Sequence, residues 1–158
     1  MTGHTGCRKK SKSNDVNDNA ERSLIIIKPD GVKKKIIGEI ISRFEREGLS
    51  IEKLKMMKIN HKLAHRHYNE HKDEKFFNTL IEYITSGPAV VMIIRGDNAI
   101  TRARELMGPT DSRAAKEGTI RGDFGDDITI NVIHGSDSRE SAEREIKLFF
   151  DKELEIYN

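Results

Sequence analysis

The chain has 158 residues, 35% hydrophobic, 34% charged and without Trp. That length suits one domain plus a tail, and the composition is too apolar and too patterned for a wholly disordered chain. The apolar runs are too short to span a bilayer, and no signal-like segment follows Met1. One cysteine, Cys7, excludes an internal disulfide framework and a cysteine-based zinc site. The expected compartment is the cytoplasm.

The formal net charge is +2. Arg8, Lys9, Lys10 and Lys12 against Asp15 and Asp18 place that whole excess in residues 1–20, so the body is neutral. A dedicated nucleic-acid binder usually carries a basic surplus, so no nucleic-acid partner is expected. Residues 1–20 are polar and read as a disordered tail. Residues 21–158 then form a single domain.

Ser23–Ile27 is a continuous β-branched run and reads as a buried strand. Lys28-Pro29-Asp30-Gly31 ends it and reads as a turn. Ile36, Ile37, Ile40, Ile41 and Phe44 recur at helical spacing up to Gly48. Residues 50–60 read as a second strand. Residues 62–71 and 73–86 read as two helices, stopped by Gly87-Pro88. Ala89–Ile94 reads as a third strand, and Ala99, Ala103 and Leu106–Met107 as a shorter helical stripe. Residues 108–130 are rich in Gly, Asp, Thr and Arg and read as a long loop, a feature usually tied to function. Asn131–His134 reads as the last strand, and Ser138 caps a helix bearing Ala142, Ile146, Phe149 and Phe150. The order of elements predicts an α+β sandwich of the split βαβ type: an antiparallel sheet covered by helices on one face.

Several segments offer chemistry. His134 ends an apolar strand and meets the small polar residues Gly135-Ser136-Asp137-Ser138, so the sheet would aim its ring. Alone, such a histidine more often has a structural role. Gly118-Thr119-Ile120-Arg121-Gly122 supplies a guanidinium fork suited to phosphate oxygens, with Arg102, Arg104, Thr110, Arg113 and Lys116 upstream. Asp123-Phe124-Gly125 matches the metal-binding triplet of protein kinases, but the chain lacks their catalytic loop and their length. Lys28 sits where a buried strand stops, and no Walker-type phosphate loop exists. His61, His65, His67 and His71 form two i,i+4 pairs, which can chelate a transition metal but more simply make a polar helix face.

Together these stretches resemble the nucleoside diphosphate kinase family over roughly Glu21 to Tyr157. The resemblance rests on Arg22-Ser23-Leu24-Ile25-Ile26-Ile27-Lys28-Pro29-Asp30-Gly31-Val32, on Ser86-Gly87-Pro88, on Gly118–Phe124, and on Asn131-Val132-Ile133-His134-Gly135-Ser136-Asp137-Ser138. It implies a ferredoxin-like fold with a four-stranded antiparallel sheet. It implies ping-pong transfer of the γ-phosphate of ATP or another nucleoside triphosphate to a nucleoside diphosphate, through a phosphohistidine and with little base specificity. His134 would be the nucleophile, Glu145 would orient its ring, and Ser136 and Tyr68 would complete the catalytic surroundings. Lys28 would reach both the ribose 3′-hydroxyl and the moving phosphate. Arg104, Thr110 and Arg121 would bind phosphates, and Asn131 the ribose region. Phe76 would stack on the base, with Leu80 nearby and Ile128 opposite. The implied cofactor is Mg²⁺, held by the nucleotide phosphates rather than by a protein cage. The implied assembly is a homo-oligomer, a hexamer ahead of a tetramer or dimer.

The chain departs from the family pattern at three places. Thr110-Asp111-Ser112 stands for the common Thr-Asn-Pro, Lys75 for a proline before Phe76, and Lys33-Lys34-Lys35 for a segment that usually holds Arg-Gly. A relative that kept the fold but lost the chemistry should lack one of Lys28, Arg104, Arg121, His134 or Glu145, and all five are present.

Overall fold

A computed structural model describes residues 20–151. The tail expected over residues 1–20 lies outside that range except for Ala20, as do residues 152–158.

The strands β1 (Glu21–Ile27), β2 (Ser50–Lys58), β3 (Pro88–Gly96) and β4 (Ile133–Gly135) form one sheet in the order β2-β3-β1-β4. Every neighbouring pair is antiparallel. This is the ferredoxin-like arrangement expected. The helices are α1 (Pro29–Lys33), α2 (Ile37–Arg46), α3 (His61–His67), α4 (Phe77–Ile84), α5 (Ala99–Met107), α6 (Ile120–Phe124) and α7 (Arg139–Phe150), with short 3₁₀ turns at Asn69–His71 and Ser112–Ala114.

Helices cover both faces of the sheet, not one. Ile25 and Ile27 pack with Ile40, Phe44, Ala103 and Ile120 from α2, α5 and α6. Leu24 and Ile26 pack with Leu63, Ile81, Ile84 and Phe149 from α3, α4 and α7. Alternate side chains of a strand point to opposite faces, so an uninterrupted apolar run needs cover on both sides.

Three local readings change. Pro29 occupies the first turn of α1, where its missing N–H costs nothing, so the expected turn is a short helix. The helix expected over 62–71 ends at His67, and its remainder tightens into a 3₁₀ turn. The loop 108–130 contains α6, capped by the Thr119 hydroxyl accepting from the Gly122 N–H at 3.0 Å. That segment is tied to α2, where Arg43 meets Asp123 at 2.8 Å, and to Lys34, which meets Asp126 at 3.0 Å. Ser138 caps α7 as expected, accepting from the Ser141 N–H at 3.1 Å.

Candidate active site

β4 is short, and its place in the sheet decides what His134 faces. His134 lies opposite Ile26, so its ring emerges on the face covered by α3, α4 and α7. There α7 brings Glu145 and α3 brings His67. The His134 Nε2 lies 3.0 and 3.1 Å from the two oxygens of Glu145. Glu145 is itself buried, and its Oε1 accepts from the Ser136 hydroxyl at 2.8 Å. The Ser136 Oγ in turn accepts from the Leu24 N–H at 3.1 Å. A chain of hydrogen bonds thus runs from the central strand to the ring and fixes its tautomer, with the proton on Nε2 and the lone pair on Nδ1.

The backbone entering β4 is strained. Val132 has φ +74°, a region that β-branched residues rarely adopt, and the Ile133 N–H donates to Asn131 O at 2.9 Å across it. Buried bonds hold this turn. The Val132 N–H donates to Asp30 Oδ2 at 3.1 Å, Val132 O accepts from the Lys28 N–H at 2.8 Å, and Tyr83 donates its hydroxyl to Asp30 Oδ1. Burial pushes the Asp30 carboxyl up from its ordinary value. Strain of this kind persists only where the surroundings over-determine it, and it sits two residues from His134.

Lys28 extends from the end of β1. Its Nζ donates to Asn131 Oδ1 at 2.8 Å, and Asn131 donates back to the carbonyls of Thr110 and Ile128 at 2.9 and 3.0 Å. Burial, aided by the Arg121 charge, lowers the Lys28 pKa to about 7. Arg121 reaches the carbonyls of Gly108 at 3.0 Å and Ile133 at 2.7 Å. Its pKa falls to about 10 through burial and the nearby Arg104 charge. Arg104 donates to Gly135 O at 3.3 Å. Two guanidinium groups and an ammonium in so little space repel one another, which is an arrangement ready for a polyanion.

These groups line one cavity of about 370 Å³. Lys28, Tyr68, Phe76, Leu80, Arg104, Thr110, Arg121, Ile128, Asn131, His134 and Glu145 all border it. Ser136 does not; it lies behind Glu145 and braces it. Phe76 and Ile128 are 45% and 56% exposed, which is unusual for large apolar side chains and suits two open jaws at the cavity mouth. Tyr68 is buried with its hydroxyl unpartnered, and burial, reinforced by the Glu145 charge, raises its pKa.

Sequence reasoning missed several wall residues: His67, Glu70, His71, Asp137, Ser141 and Arg144. Glu70 and Arg144 pair at 3.3 Å at the rim. His67 is buried against Tyr68, His134 and Phe149, with ring centroids 4.6, 4.6 and 5.3 Å away. The expected His61/His65/His67/His71 face does not converge. His61 and His65 stay exposed, while the end of α3 turns His67 inward and leaves His71 beside Phe76, 5.7 Å between centroids. The signal for His67 was its position three residues after the apolar pair Leu63-Ala64, which puts it on the covered side of the helix. Among the described residues, the one grouping of three metal-compatible side chains is His67, His134 and Glu145.

The nucleoside diphosphate kinase family model matches residues 21–154. A nucleoside diphosphate kinase of Pelotomaculum thermopropionicum is 57% identical over 130 residues, covering 82% of this chain and 87% of that protein. One from Pyrococcus furiosus is 56% identical over 140 residues, covering 87% and 86%. Among solved structures, a halophilic nucleoside diphosphate kinase from Halobacterium salinarum in complex with CDP superposes with TM-score 0.81 at 48% identity, covering 85% of this chain and 90% of that one. The enzyme from Aquifex aeolicus does so with TM-score 0.81 at 43% identity, covering 85% and 98%. With its family motif spanning most of its length and relatives above half identity, the chain belongs to the nucleoside diphosphate kinase family.

Proposed function

We propose that His134 is the phosphoryl acceptor of a nucleoside diphosphate kinase and that the residues around the 370 Å³ cavity serve its nucleotide. The chain is an enzyme of that family, and the family reaction is ping-pong transfer through a phosphohistidine. The observation that carries the site assignment is the Glu145 carboxylate 3.0 Å from His134 Nε2, braced by Ser136 behind it.

The steps follow from that contact. Glu145 holds the Nε2 proton, so the Nδ1 lone pair is free to attack. A nucleoside triphosphate lies with its base between Phe76 and Ile128, near Leu80, where stacking accepts any base. Asn131 and Lys28 sit at the ribose end of the phosphates. Arg104, Thr110 and Arg121 hold the β- and γ-phosphates. The Nδ1–P bond forms as the bond from γ-phosphorus to the bridging oxygen breaks, and the diphosphate leaves. Charge moves to that bridging oxygen, where Lys28 and the two arginines stabilise it. As positive charge grows on the ring, Glu145 offsets it through the Nε2 proton. A second diphosphate then attacks phosphorus and restores His134. Tyr68 forms the wall beside the ring.

A divalent cation belongs to the nucleotide substrate of such kinases, and Mg²⁺ is the ion proposed. The cavity suits an ion carried in on phosphates: its carboxylates are each engaged, Glu145 by His134 and Ser136, Glu70 by Arg144 and Asp137 by Ser141 and Ser138, and do not make a protein-built octahedral cage. A homo-oligomer is also proposed, with a hexamer favoured, as is a cytoplasmic location. Among the described residues, no helix is long and apolar enough to cross a membrane.

The test is phosphoryl incorporation. Incubated with radiolabelled ATP and Mg²⁺, the chain takes up one acid-labile phosphoryl group, which any added nucleoside diphosphate discharges. His134→Ala removes incorporation and turnover with the fold intact by circular dichroism. Turnover persisting in that variant would sink the assignment.

A further inference from the structure

His67 is a buried, titratable group on the cavity wall for which the phosphoryl-transfer steps have no use. It is 4% exposed, and neither ring nitrogen has a hydrogen-bond partner. A buried imidazole without a partner is costly and calls for a ligand. One donor atom each from His67, His134 and Glu145 lie within 4.8 Å of one another. We propose that these three side chains form a site for a d-block divalent cation of the Zn²⁺ class, and that an ion bound there blocks phosphorylation of His134.

The donor set selects the ion. Two imidazole nitrogens and one carboxylate, with a fourth position open to the cavity, is a set that suits zinc and its neighbours. Mg²⁺ demands oxygen and stays with the nucleotide. Burial lowers the His67 pKa well below its ordinary value, with the His134 and Lys28 charges adding to it, so the ring is neutral and its lone pair available. Ser136 already orients Glu145 at 2.8 Å, as a supporting residue does behind a metal ligand. Bonds of about 2.0–2.1 Å bring ligand atoms to within roughly 3.4 Å of one another, so His67 must close inward. That movement breaks no hydrogen bond; it only slides the ring between Tyr68 and Phe149. The opposing force is charge: Lys28, Arg104, Arg121 and Arg144 border the same cavity. Lys28 loses most of its share above pH 7, where it is largely neutral.

Inhibition follows from the tautomer. An ion on His134 Nε2 takes the place of the proton shared with Glu145. That proton passes to Nδ1, with no net release. Nδ1 then has no lone pair to give to phosphorus. The binding arm rests on three side chains alone, whereas the blocking arm rests on the phosphohistidine reading.

The experiment begins with Zn²⁺ alone, titrated calorimetrically into full-length protein free of nucleotide. The background carries His61→Ala and His65→Ala, which removes the exposed pair on α3. One saturable ion per chain is expected, weakened roughly tenfold or more by His67→Asn and by Glu145→Gln. Because either variant can perturb the cavity, Co²⁺ is added to the otherwise unaltered background as a second probe. It should give an intense visible absorption of four-coordinate cobalt, which excess Zn²⁺ abolishes. Zn²⁺ should also suppress phosphoryl uptake from ATP at constant Mg²⁺, and a zinc-selective chelator should restore it. Zn²⁺ binding unchanged by His67→Asn, or no four-coordinate cobalt signal, overturns the site. Full occupancy with phosphoryl uptake unimpaired overturns the blocking. Loss of phosphoryl uptake in metal-free protein would count against the kinase reading only, since the nucleotide-free titration does not use it.

Discussion

Lys28 closes a buried strand, and burial with the Arg121 charge brings its pKa down from 10.5 to about 7. Between those values the unfolded chain binds more protons than the folded one. This group's contribution to stability is therefore present above pH 10.5 and is lost as pH falls towards 7. A bound polyphosphate reverses the imbalance by favouring the charged ammonium. Nucleotide binding near pH 8 should accordingly take up a proton. Calorimetry in buffers of different ionisation enthalpy measures it: the apparent enthalpy should vary with buffer in the wild type and much less in Lys28→Met. The same variant should melt several degrees higher without nucleotide, since about 1 kcal/mol moves a domain of this size by about 4 °C. It should also lose most phosphoryl transfer. A lower melting temperature with retained proton uptake would show that Lys28 is not the group responsible.

At the scale of elements, the apolar runs were the legible part. Ser23–Ile27 and Ala89–Ile94 read as buried strands and Ile36–Phe44 as a covered helix, because burial is the strongest constraint on a short segment. The less legible parts depend on exchanges between distant residues. α6 lies in a stretch with few apolar residues and is fixed by the Thr119 cap and by Arg43 on α2, neither of which periodicity reveals. Motifs single out His134, Lys28 and Arg121, and only the family resemblance points to Glu145, whereas His67 is hidden among three other histidines because the end of α3 decides which of them turns inward.

The segment after α1 shows the same interplay of local and distant terms. Lys35 has φ +59°, a left-handed conformation that costs a residue with a side chain about 1–2 kcal/mol. Lys34 beside it is anchored to Asp126 and to the Phe124 carbonyl, which holds the turn in place. Lys35→Gly should relieve the strain at some cost in unfolded-state entropy, leaving a net gain of roughly 0.5–1 kcal/mol. Chemical denaturation measures it, with turnover unchanged because Lys35 is exposed and outside the cavity. A destabilised Lys35→Gly would mean that the lysine side chain contributes more than its backbone costs. Ser112 is another local substitution with a visible compensation. Where the family commonly has proline, its N–H donates to Asp127 O at 3.2 Å, and Asp111 caps the following turn by accepting from the Arg113 N–H at 3.1 Å. Two hydrogen bonds thus replace the stiffness of a ring.

For the whole molecule, the sheet has two ends of different character. β4 is three residues long and occupied by the site. β2 is nine residues long and pairs only with β3 among the described residues, so its outer edge is available to another strand. On it Leu54 and Met56 are 50% and 58% exposed, and among the described residues the other large apolar side chains so exposed, Phe76 and Ile128, border the cavity. An exposed apolar edge promotes pairing unless it is covered, and a second copy of the same strand covers it symmetrically. The Lys53 and Lys55 side chains lean over the Phe150 ring, which leaves the edge less guarded by charge. If the proposed homo-oligomer uses this edge, Leu54→Lys with Met56→Lys should lower its sedimentation mass while leaving the circular dichroism of each chain unchanged. The substitutions lie outside the cavity, so each separated chain should still accept a phosphoryl group from ATP. An assembly of unaltered mass would place the subunit contact elsewhere. A monomeric wild type would show that the β2 lysines are enough to keep this edge apart.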